Sequence, residues 1–173
     1  MTNWSLDKAH SEIEFKVKHM MITNVKGQFQ DFDLTVVSES NDLENAKIDL
    51  TIQTASITTK NEQRDEHLKS ADFFDVATNP TITFHATSSK KDGDDIKLTG
   101  DLTIKGITKS ITVDVEFGGV AKDPWGNEKV GYTATGKINR QDFGLTWNAA
   151  LETGGLMVSD EVKFQADFQF ILS

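Results

Sequence analysis

The sequence predicts an all-β fold: an eight-stranded antiparallel barrel with a short helix between the third and fourth strands. Three observations carry this. Apolar and polar residues alternate with a period of two along almost all of the 173 residues, the pattern of a half-buried strand. Clusters of turn-forming residues separate the alternating runs. Small residues recur where the inward face calls for bulk. In the run from Ile96 to Ile104 that face reads Ile96, Leu98, Gly100, Leu102, Ile104. Gly27, Ala86, Ala134, Gly136 and Ala166 repeat the device in other runs. A sheet that closes on itself with small residues at mid-strand can leave its interior empty, so a hollow, ligand-carrying barrel is expected. The alternative is that these glycines relieve twist and bending.

The first strand runs from about Ser11 to His19, with Ile13, Phe15, Val17 and His19 on one face. The second turns Val25, Gly27 and Phe29 inward, then resumes with Phe32, Leu34 and Val36. The change of parity near Asp31 predicts a bulge. The third carries Ala46, Ile48, Leu50 and Ile52, and the fourth Ile82, Phe84 and Ala86 after Pro80. The fifth is the run already quoted. Lys105-Gly106-Ile107-Thr108 reads as a tight hairpin. It leads to a sixth strand with Ile111, Val113, Val115 and Phe117 inward. The seventh carries Val130, Tyr132, Ala134, Gly136 and Ile138, and the eighth Val162, Phe164, Ala166, Phe168 and Phe170. Further turns are expected at Asp92-Gly93-Asp94-Asp95, Asp123 to Asn127 and Gly154-Gly155. Thr58 to Leu68 lacks alternation and is rich in helix formers. Thr58 or Thr59 is the expected N-cap, with Glu62 at capping-box spacing from Thr59. A short turn follows from Ser70 to Phe74. No linker or repeat interrupts this order, so residues 1–173 are read as a single domain.

The bulk numbers exclude several functions. The net charge is −9, from 27 acidic and 18 basic residues. An acidic surface repels phosphate backbones and anionic membranes, so a nucleic-acid partner is not expected. With no cysteine, disulfides, thiolate metal sites and a cysteine nucleophile are excluded. No run approaches the roughly 20 apolar residues of a membrane helix. Met1 to Lys8 shows no apolar leader core, so a cytoplasmic location is expected, or a periplasmic or secreted one if the chain is a mature form.

Parity assigns a ligand channel to Phe15, Val17, His19, Gly27, Phe29, Ile82, Phe84, Leu98, Gly100, Leu102, Val113, Val115, Tyr132, Ala134, Gly136, Phe164, Ala166 and Phe168. Arg64 and His67, three apart, share a helix face. They are candidates to hold an anionic head group at the mouth; a structural ion-pair network is the alternative. Arg140, one of only two arginines, and Asp142 share the parity of Ile138. Arg140 is a third head-group candidate or a polar lock at the closed end, or, alternatively, half of a buried structural pair with Asp142 that holds the following loop. His10, His19 and His85 show no metal-ligand spacing. No nucleophile elbow, phosphate loop or nucleotide fingerprint is present. No cofactor, metal or catalytic residue is expected. An enzyme acting on an isoprenoid lipid, a hydrolase or isomerase with His19 or His67 as base, is the other functional reading.

Seven segments, in order, resemble the bacterial YceI-like, polyisoprenoid-binding proteins of lipocalin-like shape. They are Trp4-x-x-Asp7-x-x-His10-Ser11 leading to Phe15 and His19; Val25-x-Gly27-x-Phe29; and Ser56-Ile57-x-Thr59 before Arg64-Asp65-x-His67-Leu68. Asp72-Phe73-Phe74-Asp75, Pro80-x-Ile82-x-Phe84, Gly100-x-Leu102-Thr103-Ile104-x-Gly106 and Asn139-Arg140-x-Asp142-Phe143-Gly144 complete the set. The resemblance implies an elongated antiparallel barrel whose channel holds a long isoprenoid or fatty-acid-derived chain. It also implies homodimers and no catalytic residues. Many members carry a secretory leader that is not seen in this chain.

Overall fold

The computed structural model of the chain describes residues 2–20, 22–40, 43–148 and 158–173; the expected Gly154-Gly155 turn lies outside them. Eleven strand segments build one closed sheet: β1 Thr2–Leu6, β2 Glu12–His19, β3 Thr23–Phe29, β4 Phe32–Ser38, β5 Lys47–Gln53, β6 Ile57–Thr58, β7 Thr81–Asp92, β8 Asp95–Ile104, β9 Ile107–Lys122, β10 Glu128–Asn139 and β11 Val158–Leu172. One helix, α1, spans Glu62–Lys69. The segments reduce to eight staves. β1 and β2 both lie against β11, at Phe170–Leu172 and Val158–Asp167 respectively. β3 and β4 continue one another alongside them, as do β5 and β6. Pairing then runs β5–β7–β8–β9–β10–β11 and returns to β1, so the antiparallel barrel closes. Closure removes the free edges that would otherwise invite pairing with other chains.

Three neighbouring staves break at one level, and the sequence foretold only one of the breaks. Phe29 and Phe32 are both buried while Gln30 and Asp31 face solvent, the expected change of parity. The first stave breaks through a 3₁₀ turn at Lys8–His10 and the third through one at Thr54–Ser56. Backbone bonds stitch these breaks into a crease: Gln30 N–H to Ser56 O (3.2 Å), Gln53 N–H to Asp31 O (2.9 Å) and Asp7 N–H to Gln169 O (2.8 Å). Ser11 Oγ donates to Asp7 O (2.7 Å) and accepts from Gln169 N–H (3.1 Å). The Asp7 carboxylate takes Lys129 Nζ (2.7 Å) and His10 Nδ1 (2.8 Å). The Trp4 to Ser11 motif is thus a knot that turns the chain through the crease.

The Lys105–Gly106 hairpin has two loop residues, both with positive φ (52° and 74°), as the strand twist demands. The helix starts later than expected. Asn61 caps it, its Oδ1 accepting from Arg64 N–H at 3.0 Å. The Thr59 hydroxyl cannot cap, because it donates to Asp65 Oδ1 (2.6 Å) and accepts from Arg64 Nε (2.7 Å). Phe117, expected inward, is 39% exposed. It stands opposite the buried Tyr132 and so keeps the expected face, its ring 5.7 Å from that of Tyr132, just before a register shift at Gly118.

The two ends of the barrel differ. The lower end holds both termini and the β4–β5, β7–β8 and β9–β10 connections. There a bulge between Ala86 and Ser88 turns Ser89 inward. Its hydroxyl donates to Leu43 O (2.7 Å) and accepts from Asn45 N–H (2.8 Å), which holds buried Leu43 over the bore. The upper end carries α1, the β2–β3 and β8–β9 hairpins and the segment from Arg140 to Asn148.

Candidate functional site: an apolar cavity with a polar mouth

Inside the barrel lies a cavity of about 690 Å³, within the range of small-molecule sites. It extends from Val36, Leu43 and Ile48 below to Arg64, His67, Leu68, Trp147 and Val158 above. Its wall takes inward residues from every stave: Ile13 and Phe15, Phe29 and Leu34, Leu50 and Ile52, Ile82 and Phe84, Leu98 and Leu102, Val113 and Val115, Tyr132 and Ala134, Phe164 and Ala166. Val17, His19 and Phe168 border it as well, so fifteen of the eighteen residues that parity assigned to a channel line this cavity.

The three glycines are the correction. Gly27, Gly100 and Gly136 point inward but do not border the cavity, because a neighbouring phenyl ring covers each. A Cβ added at Gly27 would lie 2.3 Å from Phe15 Cζ; at Gly100, 2.5 Å from Phe84 Cζ; at Gly136, 2.5 Å from Phe164 Cζ. Phe15 stands directly opposite Gly27, and Phe164 opposite Gly136. The glycine gives the ring a place to lie flat on the wall, a pairing known from sheets whose glycines are shielded by aromatic rings. Its effect on the bore is therefore indirect: it keeps a phenyl out of the channel. Sequence parity identifies the inward glycine but not which ring lies over it, since that depends on cross-strand register.

The mouth brings the three head-group candidates to one cavity but gives them unequal freedom. Arg140 is 3% exposed. Its Nε donates to Ser159 O (2.9 Å), Nη1 to Leu145 O and to Trp147 O (2.8 Å), and Nη2 to Val158 O (3.3 Å). Burial lowers its pKa from the ordinary arginine value, and the Asp160 carboxylate, 3.8 Å away, opposes that. The guanidinium holds the loop, as its alternative role required, but through carbonyls on both sides of it and with Asp160 as the neighbouring carboxylate, not through a pair with Asp142.

His67 is held by packing. Its Nε2 meets Asp72 Oδ2 at 2.9 Å, and its ring stands edge-on to Phe73 (5.1 Å) and Trp147 (4.8 Å). Arg64 differs. Nε bonds Thr59 Oγ1 (2.7 Å) and Nη2 bonds Thr59 O (2.9 Å), while Asp65, buried beneath, ties Thr59 in place. Among the described residues Nη1 has no partner, and Arg64 borders the cavity. Asn61, Gln63 and Trp147 also border the mouth; sequence parity missed them because they lie outside strands. Among the described residues no cluster of three or more His, Asp or Glu is placed to hold a metal ion.

This architecture has known counterparts. The model of the YceI-like domain matches residues 4–170. The UPF0312 protein SA2479 of Staphylococcus aureus strain N315 is 48% identical over 174 residues, covering 100% of this chain and 99% of that protein. Burkholderia cenocepacia BcnA superposes with a TM-score of 0.80 at 25% identity, over 95% of this chain and 99% of its own. The Campylobacter jejuni YCEI protein does so at 0.76 and 38% identity, over 99% and 98%. A polyisoprenoid binding domain from Saccharophagus degradans shares the fold at a TM-score of 0.72 and 15% identity, over the whole of both chains. The match over residues 4–170, together with that 48% identity along the whole chain, makes this chain a member of the YceI-like domain family.

Proposed function

We propose that this protein carries one long-chain lipid of polyisoprenoid type, or a fatty-acid-derived amphiphile, with the apolar chain in the barrel and an anionic end group at Arg64. The observation that carries the reading is the pairing of a 690 Å³ apolar cavity with a guanidinium at its mouth whose Nη1 is unspent among the described residues. Each methylene removed from water contributes about 0.8 kcal/mol, so a chain of some tens of carbons has a strong reason to enter. A charged end group gains charge-assisted bonds only where donors remain, which favours Arg64 over Arg140. The kinship with a polyisoprenoid binding domain of the same fold supports the same ligand class.

We read binding rather than turnover. His67 is clamped by Asp72, Phe73 and Trp147, which suits a packing role better than that of a mobile base. Phe117, Val120 and Trp125, 39%, 52% and 83% exposed at the lower end, suit pairing with a second copy, and sedimentation at increasing concentration tests that homodimer.

The central test is saturable uptake of fluorescent farnesyl and geranylgeranyl pyrophosphate probes by the purified protein, with lipid extraction to identify what co-purifies. Ala134→Phe, which places a ring in open cavity space, should keep the fold and lose most of the uptake. A correctly folded wild-type protein that takes up neither probe and yields no lipid overturns the reading.

A further inference from the structure

Four lysines stand side by side on the outside of the barrel. The register pairs Lys26 of β3 with Lys16 of β2, Lys16 with Lys163 of β11, and Lys163 with Lys137 of β10. All four are exposed. Directly opposed residues have Cβ atoms about 5 Å apart, and like charges at that spacing destabilise a sheet. Lys137 has Glu161 at 3.4 Å; among the described residues Lys16, Lys26 and Lys163 form no ion pair. A protein of net charge −9 thus gathers a row of four cations, three of which have no ion-pair partner among the described residues.

The row has a direction. Along the outward face of β2 the residues read Glu12, Glu14, Lys16, Lys18 toward the upper end. The row below the lysines is Thr135, Gln165, Glu14 and Gln28, and below that Asp167 faces Glu12. Along β2 charge therefore passes from acidic to basic toward the β2–β3 hairpin, while on β11 the exposed Asp160 and Glu161 lie above Lys163. At the tip of that hairpin Met20 is 42% exposed and Ile22 78% exposed. Ile22 N–H bonds His19 O at 3.2 Å, closing the turn, and His19 and Lys18 both border the cavity mouth.

We propose that this face docks the barrel onto an anionic lipid bilayer, with Ile22 and Met20 entering the interface and the lysine row lying against acidic head groups. The two features fit one surface. Exposed apolar side chains beside a basic row are what an anionic membrane takes up, whereas a purely acidic protein partner leaves Ile22 unexplained. The mouth lies on the same end, so docking brings it to the source of its ligand. The functional meaning rests on the lipid-carrier reading; the docking itself does not.

The experiment is co-sedimentation of the full chain with empty vesicles of phosphatidylcholine alone or with 30% phosphatidylglycerol, across a salt series. The wild type should bind the anionic vesicles and release as salt rises. Each lysine near such a surface is worth about fivefold in partitioning, so Lys16→Gln, Lys26→Gln and Lys163→Gln together should weaken binding about a hundredfold. Ile22→Ser should weaken it at every salt concentration, including where the lysines are screened. Probe uptake from solution is measured in parallel and should be unchanged in all of these variants. Vesicle binding without probe uptake would leave docking standing and remove the carrier reading. Equal affinity for neutral and anionic vesicles, indifference to the lysine substitutions, or binding to a soluble polyanion but not to vesicles would each overturn the proposal.

Discussion

Two short segments meet at the mouth of the barrel, each contributes one of the chain's two arginines, and they use them differently. In the turn after β10, Arg140 is sealed in and its donors point at the carbonyls of Leu145, Trp147, Val158 and Ser159. In α1, Arg64 is half-buried, and among the described residues its guanidinium bonds only Thr59. The helix supplies its own acceptors, since Asn61 caps it and Asp65 secures Thr59, so a guanidinium arm is left over. The irregular loop around Arg140 has carbonyls without strand partners, and these consume the donors. Residue type does not set the role; the number of unmet acceptors in the surrounding backbone does.

The strongest way to break this comparison is to remove Arg140. Arg140→Met withdraws the guanidinium from four carbonyls, of which Val158 O keeps the Asn148 side-chain amide as a donor. The loss should cost about 3 kcal/mol and lower the melting temperature by roughly 10 °C. Arg140→Lys should recover less than half, since an ammonium cannot reproduce a planar fork aimed at carbonyls on two chain segments. Melting curves that barely move for Arg140→Met would show that the loop does not depend on the lock.

The wall offers the same lesson in its glycines. At Gly136 an added Cβ would meet only the far edge of the Phe164 ring, 2.5 Å away. That ring has the cavity to swing into. At Gly100 the Cβ would meet Phe84 Cζ at 2.5 Å and also the His85 carbonyl oxygen at 2.6 Å; backbone cannot swing. Gly100→Ala should therefore cost about 2–3 kcal/mol and Gly136→Ala about 1 kcal/mol. Gly136→Ala should also reduce probe uptake more than its stability loss explains, because its ring now stands in the bore. Equal chemical denaturation midpoints for the two variants would sink this account.

How much of this was legible beforehand follows from what a period of two encodes. Alternation reports which side of the sheet a residue faces, so the wall from Phe15 to Phe168 was readable, as was the parity change at Asp31. It does not report register. The lysine row, the phenyl rings over the glycines and the turning of Ser89 all depend on which residue stands opposite which, and bulges at Ala86–Ser88 and Gly131–Tyr132 set that locally. Polar duties were less legible still. Arg64 and Arg140 look alike in sequence, and only the acceptors folded around them tell them apart.

Arg64→Met sharpens the contrast from the other side. Asn61 still caps the helix and Asp65 still holds Thr59, so the stability loss should stay within about 1 kcal/mol. Binding should change selectively: affinity for a prenyl pyrophosphate should fall about tenfold or more, as expected for loss of a charge-assisted bond. Affinity for the uncharged alcohol of the same chain should hold. Equal loss for both ligands would show that Arg64 shapes the mouth without contacting a charged end group.

The smallest effect concerns the crease, where a third cation has a structural task. Lys129 and His10 bond the Asp7 carboxylate and hold its pKa below the ordinary aspartate value. A depressed carboxyl pKa means the unfolded chain binds the proton more readily than the folded one. The contribution is therefore complete above the ordinary aspartate range, near pH 4, and is lost as pH falls through the lower folded value. Lys129→Met removes the largest cause of the depression. Its stability difference from wild type should be greatest at neutral pH and shrink below about pH 4, in denaturation midpoints measured across that range. A difference that persists undiminished at pH 3 would mean that Lys129 supports the crease through its aliphatic stem and not through Asp7.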